Sequence, residues 1–296
     1  MAAIHDTGKG PPGDRFLRAG RGRLLIDLHS HSLASDGQHA AADVASRARA
    51  AGVSVWALTD HDSVASLAEA GEAARRHGMR FVPGIELSVQ LDRREVHVLG
   101  HFVDPASDAL RRFEDLLSEQ RRVRMGEMVQ KLAALGVALL PEEIERFSGG
   151  KTLGRPHVAR ALMERGVVAS VKEAFDRFLG EGRPAYVGRH RLLPEEAIAL
   201  VRGAGGCATL AHPGVSRIER GDLERLRAWG LAGVEVYHPD HNDSVREKYL
   251  RIARALDLVP TAGSDYHGEA VAPDRRLGQA TMPEEELARL EARRGD

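Results

Sequence analysis

One short segment constrains this chain more than any other: an apolar run that ends in two histidines. Residues 24–28 read Leu-Leu-Ile-Asp-Leu and are followed by His29-Ser30-His31. Side chains alternate along a strand with a period of two, so an extended chain here places both imidazoles on the same side. Two adjacent imidazoles can share one cation, and Asp36, just beyond, can serve a second. The segment therefore predicts the beginning of a metal site.

Composition limits what the rest of the chain can be. Of its 296 residues, 43% are hydrophobic and 29% charged, which is typical of a globular protein with one large α/β domain. A net charge of −1 and an aromatic content of 4% mean that any contact with nucleic acid comes from a local patch. The single cysteine, Cys207, excludes an intramolecular disulfide and a thiolate metal cluster. With no apolar run of transmembrane length and no signal-peptide pattern, we expect a cytoplasmic protein with no membrane partner.

Short aliphatic runs alternate with amphipathic helical stretches from residue 24 onward. Strands are predicted at 24–28, 54–59, 80–89, 94–102, 206–211, 233–237 and 258–262. Helices are predicted at about 40–51, 63–77, 194–203, 221–229 and 243–257. This alternation predicts parallel strands joined by helical crossovers, in either a barrel or an open sheet.

Residues 105–190 interrupt the alternation because they read as helical throughout. The predicted helices lie at about 107–135, 141–147, 156–165 and 170–179. Since the alternation resumes afterwards, we expect an inserted helical cap rather than a separate C-terminal half. The predicted organisation is a flexible extension at 1–23, a first barrel part at 24–104, the cap at 105–190 and a second barrel part at 191–296.

Candidate metal ligands follow nearly every predicted strand. In chain order they are His29, His31, Asp36, His61, Glu86, His97, His212, Asp265 and His267. A single histidine at a strand end is more often a hydrogen-bonded structural residue than a ligand. Imidazole and carboxylate groups are, however, costly to bury unless they are paired or bound to a cation. So many of them at the strand ends of one chain indicate a shared metal centre, in the place where α/β barrels carry their chemistry.

These motifs resemble those of the PHP family, the polymerase and histidinol phosphatase superfamily of metal-dependent phosphoesterases. The matching segments are Asp27-Leu28-His29-Ser30-His31, Ser35-Asp36-Gly37, Thr59-Asp60-His61-Asp62, Gly84-Ile85-Glu86, His97, Ala211-His212-Pro213 and Gly263-Ser264-Asp265-Tyr266-His267. The resemblance implies an α/β fold, a distorted (β/α)7 TIM-like barrel with an inserted helical cap, that holds two to three divalent metal ions.

The resemblance also implies which side chains hold each metal. One metal is expected at His29, His31, Glu86 and Asp265, a second at Asp36, His61 and His267, and a third at Glu86, His97 and His212. Nitrogen and oxygen ligands suit Mn²⁺, which we expect, as well as Fe²⁺ or Zn²⁺. Clustered cations lower the pKa of a bound water from about 15.7 toward about 7 and neutralise phosphoryl oxygens. We therefore expect in-line attack of a metal-activated hydroxide on phosphorus, without a covalent enzyme intermediate.

Four further residues are candidates for catalysis and substrate binding. Arg155 and His157 lie in a Gly-Arg-Pro-His segment that, in the branch of the family this chain resembles, faces the active site from the cap. Arg155 could clamp a second phosphate with two parallel hydrogen bonds, although the segment also reads as a helix start. His238 ends a strand without a place in the metal scheme, so we expect it to contact substrate or protonate the leaving group, and His241 is a further candidate contact.

Two acidic residues beside His61 have predicted supporting roles. Asp60 either orients a ligating histidine or stabilises a local turn, and Asp62 is predicted to cap the helix at 63–77.

The branch that the chain resembles comprises 3′,5′-nucleotide bisphosphate phosphatases, which are also 5′→3′ exoribonucleases. The resemblance implies hydrolysis of the 3′-phosphate of nucleoside 3′,5′-bisphosphates, such as pAp to AMP, and trimming of short 5′-phosphorylated RNA. The partner would be a nucleotide or short RNA, and no obligate protein partner is indicated. The alternatives are a monophosphatase of the histidinol-phosphatase type, a non-catalytic PHP scaffold module, and an amidohydrolase acting on C–N bonds. A monophosphate has no second anion for Arg155, and an amidohydrolase usually needs a bridging lysine where this chain has Glu86.

Overall fold

Seven short strands, connected in chain order, form the sheet that carries the predicted ligands. A computed structural model describes residues 24–147, 154–188 and 191–295, so the extension expected at 1–23 lies outside the described residues. Within these ranges the strands are β1 Ile26–Asp27, β2 Val55–Leu58, β3 Arg80–Leu91, β4 Arg94–His101, β5 Cys207–Leu210, β6 Gly233–Tyr237 and β7 Val259–Ala262. Each strand is hydrogen-bonded to its neighbour in sequence.

The sheet is mixed because one strand runs against the others. β1 to β3 are parallel, and so are β5 to β7, but β4 is antiparallel to both β3 and β5. Leu91 pairs with Arg94 across a tight turn in which Asp92 has φ 54°, and such a turn can only join antiparallel strands. The parallel arrangement expected for every strand is therefore wrong for β4.

The two edges of the sheet, β1 and β7, lie next to each other. Leu28 N–H donates to the carbonyl of Ala262 over 3.0 Å, and Asp265 N–H donates to the carbonyl of His29 over 2.9 Å. Asp27, fully buried, supports this junction by accepting hydrogen bonds from the N–H groups of Ser264 and Gly278. The sheet is thus nearly closed, and the distorted TIM-like barrel predicted from the sequence is confirmed.

Amphipathic helices cover the outside of the barrel. They are α1 Ala41–Ala50, α2 Leu67–Arg76, α7 Pro194–Gly203, α8 Arg220–Ala228, α9 Asp243–Ala255 and α10 Glu284–Glu291. The apolar faces of α1, α2, α7, α8 and α9 pack with the strands in one large buried cluster that includes Trp56, Ile85, Val234 and Tyr249. Leu287 and Leu290 of α10 lie in a second buried cluster. The predicted cap of α2 is wrong: the helix begins at Leu67, and the Asp62 carboxylate instead accepts hydrogen bonds from Ser88 N–H and Oγ–H, both at 3.0 Å.

Four helices between β4 and β5 form a second packing unit. They are α3 Asp108–Ala134, α4 Pro141–Glu145, α5 Arg155–Glu164 and α6 Val171–Ala174, which continues as a π-helical turn over Phe175–Leu179. The first turns of α3 bury Leu110 and Phe113 in the barrel core. Its last turns bury Met128 and Leu132 in a separate apolar cluster with α4 and α5. α3 thus connects the helical unit to the barrel, and the assignment of 105–190 as one cap domain stays a prediction.

No helix in the described ranges combines the length and the apolar character needed to cross a bilayer.

Candidate metal centre

The nine predicted ligands lie together at one end of the barrel. Most of them come directly after β1, β2, β5 or β7, which run toward this end of the barrel. Glu86 lies within β3. Three overlapping groups of donor atoms result, and within each of them the atoms lie inside 4.8 Å of one another. His212 adjoins the third group.

The first group is fully buried and joins the two edges of the barrel. His29 Nε2 lies 3.3 Å from Glu86 Oε2 and 3.3 Å from Asp265 Oδ1. His31 Nε2 lies 3.2 Å from each of the same two oxygens. Two imidazole nitrogens and two carboxylate oxygens therefore face one point, which agrees with the ligand set predicted for the first metal.

The second group surrounds Asp36 at the rim. His267 Nε2 lies 3.3 Å from Asp36 Oδ1, and His61 Nε2 lies 3.7 Å from Asp36 Oδ2. His31 also takes part, since its Nδ1 is 3.6 Å from Asp36 Oδ1, although the sequence placed it in the first group alone. His31 thus presents one ring nitrogen to each of two groups.

Asp60 holds the loop that carries this second group. Its carboxylate accepts hydrogen bonds from Ser32 N–H, Ser32 Oγ–H and Ser35 Oγ–H, each at 2.7 Å. Of the two roles considered for Asp60, the contacts favour stabilisation of a local turn, which fixes the chain between His31 and Asp36.

The third group is built on the other oxygen of Glu86. His97 Nδ1 lies 3.0 Å from Glu86 Oε1, and His212 Nε2 lies 3.4 Å from the same atom. His61 Nδ1 lies 3.2 Å from Oε2. Glu86, only 1% exposed, therefore faces His29 and His31 with Oε2 and His97 and His212 with Oε1. This is the geometry expected of a bridging carboxylate.

The polar atoms of the cluster are suited to bind divalent cations. His31 Nδ1, His61 Nδ1 and both carboxylate oxygens of Glu86 are buried without a hydrogen bond of acceptable geometry. Buried polar atoms are ordinarily paired, so four such atoms without a hydrogen bond in one cluster fit the binding of cations. Nitrogen and oxygen donors, without thiolates, fit Mn²⁺, Fe²⁺ or Zn²⁺.

Electrostatics also favour a cation here. Burial raises the pKa of Glu86, but the imidazoles of His29 and His97 lower it further, so that it lies well below its usual range. Burial lowers the pKa of His31, yet the adjacent carboxylates of Asp265 and Glu86 prevail and raise that pKa to about 9. In the absence of metal, the Glu86 carboxylate stays ionised and a proton occupies the His31 imidazole. A metal ion would replace that proton.

Glu235 belongs to the site but was missed in the sequence. It lies in β6, is fully buried, and its Oε1 is 3.0 Å from His29 Nδ1. Its Oε2 accepts a hydrogen bond of 2.8 Å from His212 N–H. Burial raises the pKa of Glu235, but the charge and hydrogen bond of His29 lower it to about 2, so it is ionised. A carboxylate inside the apolar run Val234-Glu235-Val236 was the available signal.

We predict that Glu235→Gln weakens metal binding while leaving the fold intact. The carboxylate fixes the His29 ring so that Nε2 points at the first group, and an amide of the same shape holds it less strongly. Loss of such a supporting partner typically costs about 10–100-fold in metal affinity or activity. Titration calorimetry with Mn²⁺ measures this. Glu224→Gln, an exposed residue of α8, is the control and should bind as the parent does. Equal affinities for the two variants would contradict the prediction.

His238 and His241 lie beside the metal cluster and differ in the hydrogen bonding of their ring nitrogens. His238 is fully buried, and its Nδ1 accepts a hydrogen bond from Asp240 N–H. Its Nε2 has no hydrogen bond and lies 3.5 Å from Asp265 Oδ2, so it faces the cluster. In His241 both ring nitrogens are engaged in the fold, 2.9 Å from the Val236 carbonyl and 3.1 Å from Gly214 N. A role in substrate contact stays a prediction for both residues.

Arg155 and His157 lie in the first turn of α5. Gly154 N–H donates to His157 Nδ1 over 2.9 Å, which fixes that imidazole at the helix start. The guanidinium of Arg155 lies over two aromatic rings, 5.6 Å from the centre of Phe175 and 5.5 Å from that of Tyr186. One amino group, Nη1, donates to the Leu179 carbonyl over 3.4 Å. Contact with the rings uses the faces of the guanidinium and leaves its other N–H groups for an anion.

A nearly closed α/β barrel with clustered imidazoles and carboxylates at the strand ends defines a metal-dependent hydrolase. Comparison with known proteins shows which family of metal-dependent hydrolases the chain resembles. A sequence model of the PHP domain matches residues 27–132. A 3′,5′-nucleoside bisphosphate phosphatase of Chromobacterium violaceum is 37% identical over 82% of this chain and 87% of its own length. A 5′-3′ exoribonuclease of Haemophilus influenzae is 34% identical over 81% of this chain and 89% of its own.

Solved structures agree with the sequence comparison. A structure from Bifidobacterium adolescentis, assigned as a metal-dependent phosphoesterase, superposes with a TM-score of 0.70 at 30% identity and covers 92% of this chain and 96% of its own. A second, described as an amidohydrolase from C. violaceum with bound sulfate and no metal, has a TM-score of 0.68 at 34% identity over 92% of this chain and 99% of its own. The chain belongs to the PHP family of metal-dependent phosphoesterases, as the sequence motifs indicated.

Proposed function

We propose that this protein is a phosphoesterase that removes the 3′-phosphate from nucleoside 3′,5′-bisphosphates and releases nucleotides from the 5′ end of short RNA. Both are one reaction: the 3′-phosphoryl group is attacked while the terminal 5′-phosphate anchors the end nucleotide. The relatives named for these two activities match more than four fifths of the chain, which supports this substrate class. Both substrates are cytoplasmic molecules, and we propose that compartment for the enzyme.

The observation that carries the proposal is the sharing of Glu86 between two groups of donors. Its Oε2 faces His29 and His31, and its Oε1 faces His97 and His212. Two to three divalent ions held in this way, Mn²⁺ in our proposal, would supply an activated water nucleophile and neutralise charge on the phosphoryl oxygens. This arrangement also argues against the amidohydrolase alternative, since none of the seven strands carries a lysine that could bridge the metals.

His238 is proposed to protonate the leaving oxygen. Its Nε2 is buried, faces the cluster and makes no hydrogen bond, so it can hold a proton next to the reacting group. Asp240 N–H donates to Nδ1 and thereby leaves Nε2 as the nitrogen that carries the proton. General acids placed in this way typically contribute about 10²–10⁴-fold.

The test compares three substrates with the metal-reconstituted protein. Adenosine 3′,5′-bisphosphate is expected to give phosphate and 5′-AMP, and a 5′-phosphorylated trinucleotide is expected to give 5′-mononucleotides in sequence. Histidinol phosphate should be turned over much more slowly. Chromatography that separates 5′-AMP from 3′-AMP identifies which phosphate is removed. Turnover of histidinol phosphate alone would refute the nucleotide assignment, and 3′-AMP as the product would reverse the proposed orientation.

We predict that Arg155→Ala raises KM for adenosine 3′,5′-bisphosphate far more than KM for 3′-AMP, which lacks the 5′-phosphate. A charge-assisted hydrogen bond is worth about 1.5–3 kcal/mol, or roughly 10–100-fold in affinity. Steady-state kinetics with both nucleotides give the comparison. Arg160→Ala, an exposed residue of the same helix, should change neither KM strongly. Equal effects on the two substrates would remove Arg155 from recognition of the second phosphate.

A further inference from the structure

Arg275, which no motif singled out, connects two loops at the metal-binding end of the barrel. It lies in the segment after β7, between Asp265 and α10, and its side chain is 22% exposed. One amino group, Nη1, donates to the carboxylate Oδ2 of Asp265 and lies 3.3 Å from the carbonyl oxygen of the same residue. The other, Nη2, donates to Asp240 Oδ2 over 2.7 Å. Arg275 therefore holds both the side chain and the backbone of Asp265.

The two oxygens of Asp265 are divided between different partners. Oδ1 faces the histidines of the metal cluster, 3.2 Å from His31 Nε2 and 3.3 Å from His29 Nε2. Oδ2 faces Arg275, with His238 Nε2 3.5 Å away. Nη1 contacts Asp265 while Nη2 is held by Asp240, so the planar guanidinium is fixed between the two carboxylates. With Oδ2 engaged, only Oδ1 is presented to the first group of donors.

The backbone at Asp265 requires such support. Its φ of 51° lies in the left-handed region, which costs about 1–3 kcal/mol for a residue with a Cβ. The hydrogen bond from Arg275 to its carbonyl oxygen helps to hold this conformation. His267 Nδ1 lies 2.8 Å from the same carbonyl oxygen and shares this role, so loss of Arg275 acts chiefly on the Asp265 side chain.

We propose that Arg275 is a positioning residue that fixes Asp265 as a ligand with one free oxygen. The inference rests on the proposed metal-dependent function, but concerns residues that the ligand pattern did not include. A guanidinium beside a cation site repels the cation, and Asp240 reduces this effect by neutralising Arg275 from its far side. For metal affinity, the benefit of orienting Asp265 is therefore larger than the repulsion between Arg275 and the cation. Loss of Arg275 should weaken metal binding.

The test measures metal binding without substrate, so that it does not depend on which substrate is cleaved. Arg275→Gln should weaken the binding of one Mn²⁺ per chain by about 10–100-fold in titration calorimetry. The other metal sites, which do not use Asp265, should change little. The Mn²⁺ affinity of Arg275→Lys should lie between those of the parent and of Arg275→Gln. An ammonium group keeps the charge but cannot bridge two carboxylates as a planar guanidinium does. Asp240→Asn should weaken the same site by a smaller factor.

The neighbouring Arg276→Gln is the matched control, since that side chain is exposed and its substitution removes the same charge. If Arg275→Gln and Arg276→Gln bind Mn²⁺ equally, Arg275 does not position Asp265. Tighter binding in Arg275→Gln would also overturn the proposal, because Arg275 would then compete with the metal. Should Arg275→Gln fail to fold by circular dichroism, Arg275→Lys against Arg276→Lys decides the same question. Normal metal binding by the parent chain with no phosphoesterase activity would refute the proposed function alone.

Discussion

Glu86→Gln is expected to lower kcat for adenosine 3′,5′-bisphosphate by at least about 10²–10³-fold, the range seen when a principal electrostatic element of an active site is removed. The carboxylate lies within 3.4 Å of nitrogens from five histidines and supplies a separate oxygen to each of two donor groups. An amide has the same shape but offers only one acceptor and no charge. One of the two groups therefore loses its Glu86 ligand, and the other keeps only a neutral oxygen.

The measurement pairs kcat with metal content per chain, determined by elemental analysis after gel filtration. Loss of activity together with loss of at least one metal agrees with a bridging role. Full metal content with low activity would contradict it and would leave Glu86 as a general base. Glu72→Gln, an exposed carboxylate of α2 that pairs with Arg75, is the control and should retain both quantities. Because Glu86 and Gln have nearly the same volume, the fold is expected to be preserved.

The fold was predictable from the sequence because its parts are local. Each strand is a short apolar run, and each ligand motif follows the strand that positions it, so chain order was sufficient to predict the barrel. Two details were wrong for different reasons. The antiparallel direction of β4 follows from the tight turn at Asp92, a local feature that the prediction of parallel strands did not take into account. The true start of α2 depends on a non-local contact, the pairing of Asp62 with Ser88 in β3.

The site was predictable where a residue has a motif and unpredictable where it acts through another side chain. His29, His31 and Asp265 each occur in a recognisable segment, and the structure places them within 3.3 Å of one another or of a shared oxygen. Glu235 contacts His29 at Nδ1, and Arg275 contacts Asp265 at Oδ2, the atoms that do not face the first group of donors. Neither residue lies in a recognisable sequence motif. The role of Glu235 depends on closure of the barrel, which brings it into contact with His29, 206 positions earlier. Arg275 contacts Asp265 only 10 positions away, but through a loop whose path the local pattern does not indicate.

Removing the divalent metals is expected to destabilise the protein by an amount that grows with pH. In the metal-free protein the pKa of His31 is raised to about 9 through Asp265 and Glu86, against the lowering effect of burial. A folded pKa above the unfolded value of 6.5 gives stability that is fully present below pH 6.5 and is lost as the pH rises toward 9. This loss is on the order of 3 kcal/mol at the upper end. His29, whose pKa is raised well above its usual value, adds to it in the same direction.

Metal binding has the opposite dependence, because the cation displaces those protons and binds more tightly as the pH rises. At a free concentration of about a hundred times Kd, each site adds about 2.7 kcal/mol. We therefore expect the rise in Tm caused by Mn²⁺ to be about 5–10 °C larger near pH 8 than near pH 6. Thermal melts with metal and with chelator at both pH values measure this difference. His77→Gln, outside the cluster, should keep the pH dependence and His31→Gln should flatten it. An equal Mn²⁺ effect at both pH values would show that protons and metal do not compete for these imidazoles.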